Sequence, residues 1–328
     1  MPAKSLHTSS SRRYVVGVDI GGTNLRMALA NARGQILARC RTSTTRISTP
    51  PDLIRHIRHG LDHLLRQTSL PRRSLQAIAV GVPGVTDTAS GVVLLTSFFG
   101  QWRDVPLLKL LESGLDLPAA IENDVRLAAI GERWRGSARG LSDFVFLAIG
   151  TGIAAGIFAN GHVLRGAGHA AGEVGYLFVP GTALELAAPG APGPLECAIG
   201  GEGLRLQWQR ICRENQLTLS RSDSVATGMF NRASAGDPFA HTLLRRTAQT
   251  LAYAIYDMAV VLNPSLFVLG GGVGVSPVLL EQTQLILRRF SEPAQPKLTV
   301  SALGDDAQLL GSIRLALDTA PSRAKRPK

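Results

Sequence analysis

An α/β protein of two lobes is what this sequence predicts, and three observations lead there. Strand and helix patterns alternate through both halves of the 328 residues, a length that accommodates two cores of ordinary size. Near the start, Val15-Val16-Gly17-Val18-Asp19-Ile20-Gly21-Gly22-Thr23-Asn24 reads as a strand, a glycine-rich turn and a returning apolar run. The same unit recurs about 130 residues later as Phe144 to Gly152, followed by Ala155 to Leu164 with its Asn160-Gly161 turn. Ile149-Gly150-Thr151-Gly152 falls on Ile20-Gly21-Gly22-Thr23. Two matched hairpins imply two related lobes, each bringing a glycine-rich loop to one cleft.

The chemistry of the first turn follows from its residue types. Glycine lets backbone N–H groups approach a bound anion, and Thr23 and Asn24 add side-chain donors. Asp19, just before the turn, suits a phosphate-bound Mg²⁺ held through oxygen or water. An ordinary glycine-rich hairpin is the plainer reading of either copy, and the pairing of two copies weighs against it.

The remaining elements follow in order. Asp52 to Gln67 carries Leu53, Ile54, Ile57, Leu61, Leu64 and Leu65 at helical spacing. Ala77 to Val82 is a buried strand that ends at a Pro83-Gly84 turn. Pro106 to Leu115 reads as a short helix and Leu117 to Ile121 as a short strand. Glu122-Asn123-Asp124 stands at that strand's end, before a helix from Val125 to Trp134, where ligands of α/β sheets commonly bind. Pro180 to Pro194 is an irregular loop by composition. Helices follow at Gly203 to Glu214 and Pro238 to Leu262, then a strand at Ser265 to Leu269 that enters Gly270-Gly271-Gly272. A helix at Pro277 to Phe290, a strand at Leu298 to Ser301 and a last helix from Asp306 to Leu317 complete the pattern. The expected organisation is a disordered tail over 1–13, a smaller lobe over 14–122, a larger lobe over 123–304 and a basic tail over 318–328. The final helix, 305–317, is expected to pack back on the smaller lobe.

Composition narrows the class. The net charge of +11 comes from scattered Arg with small clusters such as Arg72-Arg73, a solvated pattern that disfavours nucleic acid as a partner. Cys40, Cys197 and Cys212 lie far apart with no CxxC, against a disulfide framework and in keeping with a reducing cytosol. Met1 to Arg13 lacks the apolar core of a signal peptide. No run approaches the roughly 20 apolar residues of a membrane span. The expectation is a soluble cytoplasmic protein with no membrane partner.

By these residues the chain resembles the ROK family of sugar kinases, within the actin/hexokinase-like superfamily. The resemblance runs from about residue 14 to 317 and rests on Asp19 to Asn24, Trp102-Arg103-Asp104-Val105-Pro106, Glu122-Asn123-Asp124, Gly150-Thr151-Gly152 and Gly166 to Gly175. Asn263-Pro264 before Gly270-Gly271-Gly272, and Leu303 to Ala307, continue it in order. It implies two actin-like (RNase H-like) lobes and an ATP-dependent transfer of phosphate to the 6-hydroxyl of a hexose, glucose first, within glycolysis. Asp124 would be the general base, with Asn123 and Asp124 holding ring hydroxyls. Glu173 and Glu196 match further sugar-binding carboxylates. Asp19 would assist Mg²⁺, Gly21, Gly22, Thr23, Asn24, Gly150, Thr151 and Gly152 would hold phosphates, and Gly270, Gly271 and Gly272 would lie against adenosine. Similar proteins commonly dimerise, so the resemblance allows a homodimer, although no residue demonstrates one.

Read without the resemblance, Asp124 is equally a helix N-cap, and Glu173 and Glu196 are equally surface carboxylates. The chemistry is self-consistent: phosphoryl transfer needs positioning and charge stabilisation, and a carboxylate near the hydroxyl supplies general-base help.

Departures from the family pattern are specific. Many ROK proteins hold zinc with a His after the Gly-Glu pair and three Cys in the next loop. Here Tyr176 takes the His position and Leu177 to Leu195 contains no Cys, so no structural zinc is expected. Because that His usually touches the sugar, Tyr176 leaves the substrate open, as does Phe98 in place of a frequent Asn. Ala154 stands where the second phosphate loop usually continues with glycine.

Two other classes meet obstacles in the sequence. A sugar-responsive repressor would carry a helix-turn-helix domain ahead of the first motif, and only some 13 residues precede Tyr14. A catalytically weakened sugar sensor without such a domain stays open. Gly150 to Ala155 satisfies the dinucleotide pattern G-x-G-x-x-A, but that fingerprint needs a following helix, and a strand follows here.

Overall fold

The computed structural model describes residues 13–96, 102–183, 191–218, 225–290 and 295–321. Phe98, residues 1–12 of the expected N-terminal tail and the basic tail from residue 322 lie outside them. The chain divides into two compact units, residues 1–127 with 309–328, and residues 128–308.

The first unit starts with an antiparallel meander, β1 (Tyr14–Ile20), β2 (Asn24–Asn31) and β3 (Ile36–Ser43). Helix α1 (Pro50–Thr68) follows and buries Leu53, Ile57, Leu61 and Leu64 along one face. Thr49 and Asp52 form a reciprocal capping box that fixes its start. β4 (Leu75–Val82) then joins β1 in parallel. A small antiparallel sheet of β5 (Val85–Asp87), β6 (Val92–Leu95) and β7 (Arg103–Val105) precedes α2 (Leu107–Leu115). β8 (Ala119–Asn123) pairs in parallel with β4 and runs into α3 (Asp124–Arg135). The strand order is β3-β2-β1-β4-β8. β1 is buried along its whole length, as expected of a strand covered on both faces.

The second unit repeats the plan. β9 (Phe144–Ile149), β10 (Ile153–Ala159) and β11 (His162–Val163) form the antiparallel part. Helices α4 (Pro194–Ile199), α5 (Gly201–Glu214), α6 (Ala226–Ser234) and α7 (Pro238–Leu262) lie between it and β12 (Phe267–Gly270). α8 (Gly271–Gly274), α9 (Pro277–Leu287) and β13 (Leu298–Val300) complete this unit, and α10 (Ala307–Thr319) lies almost wholly in the first. The order β11-β10-β9-β12-β13 has two antiparallel and two parallel pairings in the same sequence as the first sheet. The repeat seen in the two glycine turns therefore extends to whole sheets. Among the described residues no helix is long and apolar enough to cross a membrane.

Several elements differ from the sequence expectation. Glu122 and Asn123 belong to β8, because Gly81 and Val82 of β4 continue to pair with them. Pro194 opens α4 where an irregular loop was expected to end. α6 and the small sheet β5-β6-β7 had no sequence signal, their strands being only three or four residues long. α5 starts at Gly201, two residues early.

Candidate active site

In the first unit, the turn between β1 and β2 is tight: the Gly21 N–H donates to the Asn24 carbonyl at 2.8 Å. Thr44 anchors it, its hydroxyl donating to Gly22 O at 2.9 Å and its N–H to Thr23 O at 3.1 Å. Gly22 and Thr23 are exposed, and the Asn24 amide donates to the Thr23 hydroxyl at 2.7 Å. Asp19 faces Arg26 across the β1–β2 register and is 5% exposed. Arg26 Nε and Nη2 both donate to Asp19 Oδ2, at 2.8 and 2.6 Å. Burial pushes the Asp19 carboxyl up from the usual range, and the Arg26 charge and hydrogen bonds pull the other way.

At the end of β8 the cap of α3 falls to Asn123, not Asp124. Asn123 Oδ1 accepts from the Val125 and Arg126 N–H groups, both at 3.0 Å, and its amide donates to Gly84 O at 3.0 Å. Asn123 is thereby 8% exposed and committed to the backbone, and Asp124 becomes the first helical residue, half-buried. Asp124 Oδ1 accepts from the Val125 N–H at 2.9 Å. Behind them, Glu122 and Arg126 form a buried ion pair at 3.4 Å, and Glu122 Oε1 also accepts the Asn123 N–H. Close packing holds this corner: a Cβ on Gly81 would lie 2.7 Å from Leu127 Cδ1.

In the second unit, Gly150, Thr151 and Gly152 form the β9–β10 turn, closed by Gly150 N–H to Gly152 O at 3.0 Å. The start of α5 grips it from one side: the Gly201 N–H donates to Gly150 O at 2.8 Å and the Glu202 N–H to Thr151 O at 3.0 Å. Gly271, at φ 77°, backs onto Ile149 and Gly150, with a hypothetical Cβ 2.9 Å from Gly150 N. The two glycine segments 150–152 and 270–272 are therefore brought together. Gly201 lies against both Gly150 and Val273, and the run Gly200-Gly201-Glu202-Gly203 is its visible sequence signal.

Glu196 stands on α4, and its Oε2 accepts the Ile153 N–H at 3.1 Å. Glu173 caps the 3₁₀ turn Val174–Tyr176 from the residue after Gly172, whose φ of 98° lets its carbonyl take the Ala155 N–H at 2.7 Å. A Cβ on Gly193 would be 2.7 Å from Tyr176 Cα, so α4 and this turn touch backbone to backbone. Tyr176 is 53% exposed, with its hydroxyl 3.4 Å from Ala191 O.

A phosphate-bound Mg²⁺ keeps several waters and takes one or two carboxylates plus phosphate oxygens. The carboxylate beside the first turn is Asp19, 5% exposed and paired with Arg26.

A sequence model of the ROK family matches residues 15–319. The chain is 32% identical over 316 residues to a glucokinase of Halalkalibacterium halodurans, covering 92% of this chain and 94% of that one. It is 30% identical over 302 residues to an N-acetylmannosamine kinase of Shigella flexneri, covering 92% and 98%. Its fold matches a ROK family glucokinase from Streptomyces griseus, in complex with glucose and AMPPNP, at a TM-score of 0.76 and 26% identity over 93% and 99% of the two chains. With a family match over nearly its whole length and an α/β fold to agree, this chain belongs to the ROK family.

Proposed function

We propose that this chain is a phosphotransferase with an alcohol acceptor, a sugar kinase that moves the γ-phosphate of ATP to the 6-hydroxyl of a hexose, with glucose the first choice. The observation that supports it most is the handling of Asp124. Asn123 takes the Val125 and Arg126 N–H groups, and Asp124 follows it as the first helical residue, its carboxylate at the junction of β8 and α3. A carboxylate so placed can take the proton of an attacking hydroxyl. Asn123 then contributes by orienting Asp124 as much as by touching sugar.

In this reading Glu173 and Glu196 accept sugar hydroxyls in the second unit. The Gly21–Asn24 and Gly150–Gly152 turns donate to phosphate oxygens. Gly270, Gly271 and Gly272 lie against the nucleoside. Mg²⁺, when bound through Asp19, offsets charge on the phosphates. The reaction would take place in the cytoplasm.

A second reading keeps the chemistry and changes the sugar to an N-acetylhexosamine. It is favoured by Tyr176, whose ring stands half-exposed in the position of a sugar-contacting His, and by the N-acetylmannosamine kinase relative.

The test is ADP release from Mg-ATP with glucose, mannose, fructose, allose, N-acetylglucosamine and N-acetylmannosamine, for wild type and Asp124→Asn. Turnover of glucose with kcat lowered about 10²–10⁴-fold in the variant is expected. A preference for an acetylated sugar selects the second reading. Sugar binding without turnover of any would leave a sensor.

A further inference from the structure

Glu196 does more in this fold than stand ready for a sugar. Its carboxylate lies directly beneath the β9–β10 turn: a Cβ added to Gly152 would collide with Glu196 Oε2 and sit 2.8 Å from Cδ. The same oxygen accepts the Ile153 N–H at 3.1 Å. Gly175 closes the other side, with a hypothetical Cβ 3.4 Å from that oxygen and 3.0 Å from Ile153 O.

The backbone groups of the turn divide cleanly. The carbonyls of Gly150 and Thr151 are taken by Gly201 and Glu202, and the Gly150 N–H by Gly152 O. Glu196 takes the Ile153 N–H. Among the described residues, the N–H groups of Thr151 and Gly152 donate to no protein acceptor. Thr151 is exposed and Gly152 half-buried, so two consecutive donors remain for an anion.

We propose that Glu196 is a positioning residue of the phosphate turn, its carboxylate holding Ile153 so that the Thr151 and Gly152 N–H groups stay aimed at a nucleotide phosphate. This rests on the sugar-kinase reading and adds to it. A side chain at Gly152 would displace the carboxylate, which occupies the space where a Cβ would go. A carboxylate close to a phosphate site carries an electrostatic cost, which its hold on the turn offsets.

The experiment is calorimetric titration of Mg-AMPPNP, without sugar, into wild type, Glu196→Gln, Glu196→Ala, Gly152→Ala and the Glu196→Ala/Gly152→Ala double variant. Amide exchange at Ile153 is followed in the same ligand-free proteins. Glutamine keeps an acceptor and drops the charge, so its affinity should stay within about threefold of wild type or tighten. Glu196→Ala should weaken binding about tenfold and speed Ile153 exchange by a similar factor. Gly152→Ala should weaken binding by displacing the carboxylate, and in the double variant the two losses should not multiply. Unchanged affinity and exchange in Glu196→Ala would overturn the proposal and leave the kinase reading standing. A change in only one of the two would overturn it as well, since the holding and the affinity would then be separate. If wild type bound no Mg-AMPPNP, the kinase reading would fail, and the exchange comparison would still decide whether Glu196 holds the turn.

Discussion

Asp19 shows how one residue carries two opposed electrostatic demands. Burial raises its pKa, and the charge and hydrogen bonds of Arg26, its neighbour across the strand pair, oppose that rise without cancelling it. Removing the cation should let burial act alone. Arg26→Ala is therefore expected to move the acid limb of the kcat/KM profile upward in pH, read from initial rates at saturating sugar. An unmoved limb would show that another group sets it. The sequence made Asp19 visible as a carboxylate before a glycine turn, but Arg26 was invisible as its partner. That pairing depends on strand register, and register is not written in a single strand. The same holds for Asn123 and Asp124. Both were legible as polar residues at a strand–helix junction, yet which of the two capped the helix depended on where β8 stopped. β4 pairing extended β8 by two residues and settled it.

At the level of elements, legibility followed length and periodicity. α7 matched its sequence reading from Pro238 to Leu262, because Pro follows a capping Asp and apolar spacing runs unbroken to Asn263. α4 is six residues long in a Pro/Gly/Ala-rich stretch and offered no period to detect. Caps at the long helices make two predictions. Asp237 starts α7 by accepting the Phe239 and Ala240 N–H groups and pairing with Arg232 at 2.7 Å. Partial burial pushes its carboxyl up, but the Ala240, Arg232 and Phe239 interactions together outweigh it and hold the group below the usual range. Its stabilisation is thus present above the ordinary aspartate pKa and lost as pH falls through the lowered folded value. Asp237→Ala should cost about 1–2 kcal/mol at pH 7 in urea unfolding, with the gap to wild type closing in acid. Thr49→Ala breaks the α1 capping box and should cost about 1 kcal/mol by the same measurement.

On the scale of the molecule, the repeat of hairpins anticipated two matched sheets, and the chain's return to the first unit rests on glycine contacts. A Cβ on Gly17 of β1 would lie 2.8 Å from Ile313 Cγ1 and 2.9 Å from Ile313 N, and one on Gly311 would collide with the Leu127 carbonyl. α10 is thus seated backbone-close against β1 and α3, burying Leu309, Ile313 and Ala316. Gly17→Ala should cost about 1–3 kcal/mol through overpacking. Amide exchange should accelerate in β1 and β4 and stay unchanged in β9 and β12; uniform acceleration would mean the units share one cooperative transition.

This seating has a consequence for synthesis. The first unit is discontinuous, its last helix encoded after all of residues 128–308. At about 5–20 residues per second, the roughly 180 intervening residues take about 10–40 s to emerge from the ribosome. For that interval the nascent first unit presents β1 and Gly17 without their covering helix, and the second unit, whose last strand ends at Val300, has its whole sheet synthesised before α10. The order of completion is therefore reversed relative to the order of translation, and the exposed face of β1 is where a chaperone would find the unfinished chain.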